Sequence, residues 1–294
     1  MTDAKRLIQD FEQLVSESPT RIAPERDKEL LNEVFGGKIC DLKFAEGPAN
    51  FLANVDEGFV EARYAGLLSI WATAYACVLL IDEVAKARDA SQSTLKPTGE
   101  TQQAYALLEA AKRVIADHMF KWPDELPAPE YDAPEGTVAW RTDNLFLGAT
   151  AWVILHEIAH LKLGHEVLST VERQMQEEFE ADAWAASWIL KQPRSEAEQE
   201  FRLLSVGIGV VWLGLVEEVR GTGDGIHPPA FERLAKCSRQ FPFVEDSPAS
   251  GMVADVLKVV FDPVSQITAE HASDALASVA IRLARGQHMQ RPGS

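Results

Sequence analysis

Cysteine is scarce in this sequence, and basic residues are outnumbered by acidic ones. The three cysteines, Cys40, Cys77 and Cys237, are widely spaced and form no CxxC pair. They therefore argue against a disulfide framework and fit a reducing compartment. The chain carries 28 basic and 45 acidic side chains, so its formal net charge is −17. A field of this sign repels nucleic acid and anionic lipid surfaces, and we expect no nucleic-acid partner.

Long apolar runs are rare as well. Residues 64–81 contain no charged side chain and reach the lower length limit of a membrane span. Ser69, Thr73 and several alanines keep the hydrophobicity of this run modest. We interpret it as a buried helix of a soluble protein, with a membrane segment as the alternative. Residues 1–13 mix charged and apolar side chains, so we expect no secretory signal and a cytoplasmic protein.

Helical periodicity dominates this chain of 294 residues, which is long enough to bury a large core. Residues 1–122 predict an N-terminal helical lobe, with a short strand at residues 38–44. Residues 123–136 are rich in proline and acidic side chains, so we interpret them as a linker, with a cleft wall as the alternative. Residues 137–294 predict a second helical domain. The expected fold class is therefore mainly α, with at most a small sheet.

The second domain contains a pattern that is typical of zinc hydrolases. Residues 151–160 read AWVILHEIAH, an apolar run that ends in His156, Glu157 and His160. Side chains four residues apart lie one turn above each other on a helix, so the two imidazoles are placed to share one ion. Glu157 lies beside them, where it can take a proton from a zinc-bound water. A catalytic zinc also needs a third protein ligand.

The segment before this pattern is predicted to pass from a strand into the helix that carries it. Residues 137–140 fit a short strand, and Asp143 is then a suitable N-cap for a helix over residues 144–160. Gly164 supplies a stop for that helix. If residues 138–140 form an edge strand beside the cleft, they are placed to bind a peptide by strand addition.

The third ligand does not follow the HExxHxxGxxH pattern. Leu163 and Glu166 stand where that pattern has its glycine and its third histidine. His165 is one residue too early and lies beyond the helix stop. We therefore interpret His165 as a supporting or solvated residue and not as a ligand.

A glutamate on the following helix is the better candidate. Residues 176–188 read QEEFEADAWAASW, in which Glu178 and Asp182 lie four apart on a face lined by alanines. Small side chains let this helix pack closely against the motif helix, so that Glu178 can reach the metal. Asp182 is then placed to accept the spare N–H of a ligand histidine. Glu177 and Glu180 are the alternative metal ligands if the helix presents a different face to the motif. The non-functional alternative is that these acidic side chains form a solvated helix face.

These motifs resemble those of known zinc peptidases. HExxH followed by ExxAD is similar to the gluzincin arrangement of the HtpX-type peptidases, and residues 226–234, IHPPAFERL, resemble their HPxxxxRI segment. The Lit-type phage-exclusion peptidases and the ImmA and IrrE peptidases are similar in the same region. The resemblance covers roughly residues 145–235 and implies that residues 137–294 form a zinc-metallopeptidase domain.

The resemblance also implies a role for each matching residue. The implied zinc ligands are His156, His160 and Glu178, with Glu157 as the base and Asp182 as a support for a ligand histidine. It further suggests that His227 faces the reaction site and stabilises the oxyanion. Arg233 would be a structural or supporting partner.

The sequence therefore predicts a zinc-dependent endopeptidase that acts on a protein substrate. A translation factor as that substrate is implied only by the resemblance to Lit-type enzymes. One alternative is a membrane-associated housekeeping peptidase anchored by residues 64–81. Another is a non-catalytic zinc-binding regulator, against which the retained Glu157 argues, because a purely structural site does not need that acid.

Overall fold

A computed structural model describes residues 1–34, 41–92, 95, 98–165, 170–221, 227–240, 246–262 and 271–289. The fold is mainly α with a small sheet, as predicted. The helices are α1 (Asp3–Ile8), α2 (Glu12–Arg21), α3 (Asp27–Glu29), α4 (Tyr64–Asp89), α5 (Gly99–Ala116), α6 (Val138–Leu163), α7 (Val171–Leu190), α8 (Glu196–Arg220), α9 (Ala230–Gln240), α10 (Pro248–Phe261) and α11 (Ala272–Met289). The strands are β1 (Leu42–Ala45), β2 (Phe51–Asn54) and β3 (Phe59–Arg63).

The three strands form a sheet in which β3 is central. β3 runs parallel to β1 and antiparallel to β2, with Phe51 opposite Ala62 and Ala53 opposite Val60. Within the described residues β2 is therefore an edge strand. It lies against α6, and this contact brings a strand edge to the end of the motif helix.

The start of α6 differs from the prediction. Thr137 is the N-cap, because its hydroxyl accepts a hydrogen bond from the backbone N–H of Trp140, and the helix begins at Val138. Asp143 is therefore not a cap. It is buried inside the helix and accepts a hydrogen bond from Nε1 of Trp71 at 3.0 Å. The predicted strand at residues 137–140 and its role in binding a peptide are wrong, since four residues of mixed polarity do not distinguish a strand from a capped first turn.

The apolar run at residues 64–81 lies in α4. By length and composition this helix is able to cross a membrane, but 89% of its most apolar window is buried inside the protein. α4 packs against α5, α6 and α8, so its apolar side chains are buried against other helices of the protein. The interpretation as a core helix agrees with this burial.

Glycines bring α6 and α8 unusually close together. A Cβ atom at Gly209 of α8 would lie 2.5 Å from the indole of Trp152 on α6, and one at Gly148 would lie 2.2 Å from Oγ of Ser205. The core joins residues of the predicted N-terminal lobe to residues that follow it. Residues 123–136, all of them described, contain no helix or strand, as a linker requires. The division into two domains stays a prediction.

Candidate metal centre

The last turns of α6 bring His156, Glu157 and His160 into the lining of a cleft. α6 ends at Gly164, whose φ of 65° is a left-handed conformation that glycine adopts readily. The chain then turns back, and the backbone N–H of His165 donates to the carbonyl of His160 at 3.1 Å. The helix stop was predicted from Gly164, and it directs His165 toward the motif.

Glu178 on α7 lies between the two motif histidines. The Nε2 atoms of His156 and His160 are 3.1 Å apart. Oε2 of Glu178 lies 3.4 Å from Nε2 of His156, and its Oε1 lies 3.6 Å from Nε2 of His160. Ala181 and Ala185 are fully buried, and their small side chains allow α7 to approach α6 this closely. These three residues could hold one metal ion.

The two neighbouring glutamates of α7 do not join this cluster. Arg173 places Nε 3.0 Å from Oε1 of Glu177 and Nη1 3.2 Å from Oε1 of Glu180. Glu180 also accepts a hydrogen bond from Gln176. The helix therefore has the rotation expected from the Glu178–Asp182 spacing.

Asp182 connects His156 to a buried arginine. Its Oδ1 lies 3.0 Å from Nδ1 of His156, and it accepts two hydrogen bonds of 2.7 Å from Nε and Nη2 of Arg233. Burial raises the pKa of Asp182, but the charge and hydrogen bonds of Arg233 outweigh that effect and lower it. Asp182 is therefore a carboxylate that can only accept, so Nδ1 of His156 carries a proton and Nε2 is left to face Glu178.

The pKa values of the two motif histidines are shifted in opposite directions. Burial opposes a charge on His156, but hydrogen bonds to Asp182 and Glu178 raise its pKa to about 10. Burial and the neighbouring His156 lower the pKa of His160 to about 3. Burial likewise works against ionised Glu178, yet hydrogen bonds from His156 and His227 take its pKa well below the usual value. The cluster therefore carries a carboxylate and one imidazolium, and a cation that binds there displaces a proton.

Glu157 lines the same cleft as the histidine cluster and is hydrogen-bonded to the edge strand. Its Oε2 accepts a hydrogen bond of 2.7 Å from the backbone N–H of Ala53 on β2. Burial raises the pKa of Glu157, and the nearby charge of His156 only partly offsets this effect. The arrangement holds the carboxyl group at the cleft wall, where its proton affinity is above that of an exposed glutamate.

His227 also lines the cleft. Its Nδ1 is 3.2 Å from Oε1 of Glu178, and 56% of its side chain is exposed. The cleft has a volume of about 560 Å³ and includes Gly221 and His227 in its lining. The rest of the loop between them, residues 222–226, lies outside the described residues.

The remaining lining of the cleft divides into an apolar and a polar part. Phe51, Trp152 and Trp212 contribute apolar surface, whereas His165 and Gln174 contribute polar groups. The sequence carried no signal for the position of β2, because that strand is about a hundred residues away from the motif. His165 was expected to be a supporting or a solvated residue, and its burial against His160 excludes the solvated alternative.

Known proteins define the class to which this chain belongs. The family model for Peptidase U49 matches residues 60–253, so the chain belongs to that family and is a peptidase. More particularly, it is 27% identical over 256 residues to the cell death peptidase of Escherichia coli (strain K12), with 84% of this chain and 86% of the relative covered. No solved structure matches the chain. The range matched to the family contains Glu157 and the whole His–His–Glu cluster, but not β2.

Proposed function

We propose that this peptidase is a zinc-dependent endopeptidase with His156, His160 and Glu178 as the zinc ligands. The observation that carries the proposal is the spacing of the donor atoms: the two imidazole Nε2 atoms are 3.1 Å apart, and the two carboxylate oxygens of Glu178 lie 3.4 and 3.6 Å from them. Atoms bound at 2.0–2.1 Å to a tetrahedral zinc are separated by about 3.3 Å. Two imidazoles and one carboxylate are also the donor set of many catalytic zinc sites, which leave the fourth position open.

Glu157 is the proposed general base. A bound zinc ion supplies a Lewis acid that acidifies water and polarises a carbonyl group. Glu157 takes a proton from the attacking water and later returns it to the leaving amine. Its raised pKa supports both steps, because a carboxyl group with higher proton affinity takes up a proton more readily at neutral pH.

The other predicted site residues hold and complete this arrangement. We assign to Asp182 the role of fixing the tautomer of His156, with Arg233 as the cation that keeps Asp182 ionised. We assign to His227 the role of an oxyanion donor, because it is exposed in the cleft and close to Glu178.

The proposed substrate is a segment of another protein, bound in the cleft between α6 and β2. We further propose that the protein is cytoplasmic and that α4 is a core helix, as its burial favours. Release of the intact chain into the soluble fraction without detergent is the expected result. Recovery only from detergent extracts of membranes would favour the membrane-associated alternative.

The decisive experiment tests the general base and the zinc ligands with separate variants. Glu157→Gln should keep zinc and fold but reduce cleavage of a proteome-derived peptide library below detection, because only the proton acceptor is lost. Glu178→Gln should weaken zinc binding, while the matched change Glu177→Gln on the same helix should not. Zinc is measured by elemental analysis and cleavage by mass spectrometry. Undiminished cleavage by Glu157→Gln would falsify the mechanism, and loss of zinc from Glu177→Gln alone would overturn the ligand assignment.

Membership of a peptidase family argues against the non-catalytic zinc-binding regulator that the sequence left open. The same experiment distinguishes it, because such a protein would bind zinc and leave the whole library uncleaved in its natural form. The retained Glu157, held at the cleft wall by β2, favours the enzyme.

A further inference from the structure

His165 is buried beside His160, although it lies outside the motif helix. Its Nδ1 is 2.9 Å from Nδ1 of His160, and the two rings meet edge to face. Only 5% of His165 is exposed. Its other nitrogen, Nε2, is also buried and has no hydrogen-bond partner among the described residues, and Oε2 of Glu180 lies 3.4 Å from it.

The tautomers of these side chains follow from the hydrogen bonds. Nε2 of His160 faces Glu178 and His156, so it must be free of a proton to bind a metal. The proton of neutral His160 is then on Nδ1, and this N–H donates to Nδ1 of His165. Because Nδ1 of His165 accepts, the proton of neutral His165 is on Nε2, where it faces the carboxylate of Glu180.

We propose that His165, backed by Glu180, is a positioning residue that holds His160 in its metal-binding tautomer and ring orientation. The inference rests on the proposed zinc site and deepens it. In this arrangement His165 does for His160 what Asp182 does for His156. The two supports differ in their chemistry. His156 contacts a buried carboxylate directly, whereas His160 contacts a neutral imidazole that in turn faces a carboxylate.

The position of His165 supports this role over that of a fourth ligand. Its Nδ1 contacts Nδ1 of His160, which is the ring nitrogen that does not face Glu178. A group that binds the outward nitrogen of a ligand histidine orients the ligand without touching the metal. Loss of such a partner commonly weakens metal binding by about 10–100-fold.

Zinc affinity, measured by competition with a chelator of known affinity, tests the proposal without depending on activity. His165→Phe fills the space but removes the acceptor, so its dissociation constant should rise about 10–100-fold. His165→Asn places an amide oxygen at the position of Nδ1, so it should restore binding to within about threefold of the natural protein. Glu180→Gln keeps a polar group but loses the charge, and we expect a smaller rise of about 3–10-fold.

His271 offers a matched control. Like His165 it lies close to a carboxylate, since its Nδ1 is 3.2 Å from Oδ1 of Asp246, but it does not line the cleft. His271→Asn should leave zinc affinity unchanged. Long-range ¹H–¹⁵N NMR spectra of the zinc-loaded protein add a direct readout, in which His165 should be neutral with its proton on Nε2.

Several results overturn the inference. Unchanged affinity in both His165→Phe and Glu180→Gln, or a proton on Nδ1 of His165, excludes the positioning role while leaving the proposed zinc site intact. Loss of zinc from His165→Asn as complete as that from His160→Ala would make His165 a ligand. If the natural protein itself binds no zinc, the proposed function fails first. Should His165→Phe not fold, the partly exposed position of Glu180 keeps Glu180→Gln available as the test.

Discussion

The two motif histidines are supported from opposite sides of the centre, and the two sides are built differently. On the inner side, His156 contacts Asp182, which is clamped by Arg233, and all three are buried. On the outer side, His160 contacts His165, which faces Glu180, a residue with 35% of its side chain exposed. Glu178 lies between the two sides and touches both histidines.

The difference follows from the cost of burying charge. An ionised carboxylate far from water needs an opposite charge and several hydrogen bonds, and Arg233 supplies them to Asp182. The outer side meets solvent at Glu180, where water screens the charge and a neutral imidazole is enough to connect it to His160. The inner side should therefore contribute to stability as well as to metal binding, and the outer side mainly to metal binding.

Asp182→Asn is expected to have the largest effect on folding. It removes the negative charge and replaces one of the two oxygens that accept hydrogen bonds from Arg233, so the buried arginine loses its ion pair with Asp182 and keeps the contact with Glu178, 3.6 Å away. Loss of one member of a buried ion pair commonly costs about 3–5 kcal/mol. The free energy of unfolding of the zinc-free protein, measured with urea, checks this.

Glu180→Gln is the matched change on the outer side. Because Glu180 is partly exposed, its loss should change the free energy of unfolding by less than about 1 kcal/mol. Equal losses in the two variants would show that the two sides do not differ in the way proposed.

His227→Ala should separate activity from stability. His227 is half exposed and touches Glu178, so its removal should leave the free energy of unfolding and the zinc content nearly unchanged. If His227 is a main oxyanion donor, its removal should lower kcat about 10²–10³-fold, with a smaller effect on KM. Steady-state kinetics on a cleaved peptide measure this, and a normal kcat would reduce His227 to a turn residue.

Asp143 provides a contrast with Asp182. It is a buried aspartate that no basic side chain contacts within the described part of the chain. Burial raises its pKa to about 6 from 3.8, although the N–H of Trp71 partly opposes this shift. Since the folded-state pKa is the higher one, ionised Asp143 destabilises the fold above pH 6, and stability rises as the pH falls from 6 toward 4. Asp182 has the opposite dependence, because its pKa is lowered.

Asp143→Asn should remove this dependence. At pH 8 the variant should be more stable than the natural protein by up to about 3 kcal/mol, and the gain should nearly vanish at pH 4. Urea unfolding at both pH values measures the difference. A gain that is the same at pH 4 and pH 8 would mean that the pKa of Asp143 is not raised.

Periodic patterns were sufficient to predict much of this protein from its sequence. The mainly α fold, the helix stop at Gly164, and the rotation of α7 that directs Glu178 to His156 and His160 all depend on helical spacing within a few residues. These features are local, because the same 3.6-residue repeat that makes a helix also decides which side chains share its face.

Tertiary structure alone decided the features that join distant segments. The N–H of Ala53 reaches Glu157 because β2 packs on α6, and no pattern in either segment encodes that contact. His165 was expected to be a supporting or solvated residue, but its burial depends on how α7 covers the end of α6. Asp143 was expected to cap a helix and is instead buried beside Trp71, because Thr137 caps the helix earlier. Packing between elements far apart in the chain sets the burial of each polar group, and burial sets its partners and its pKa.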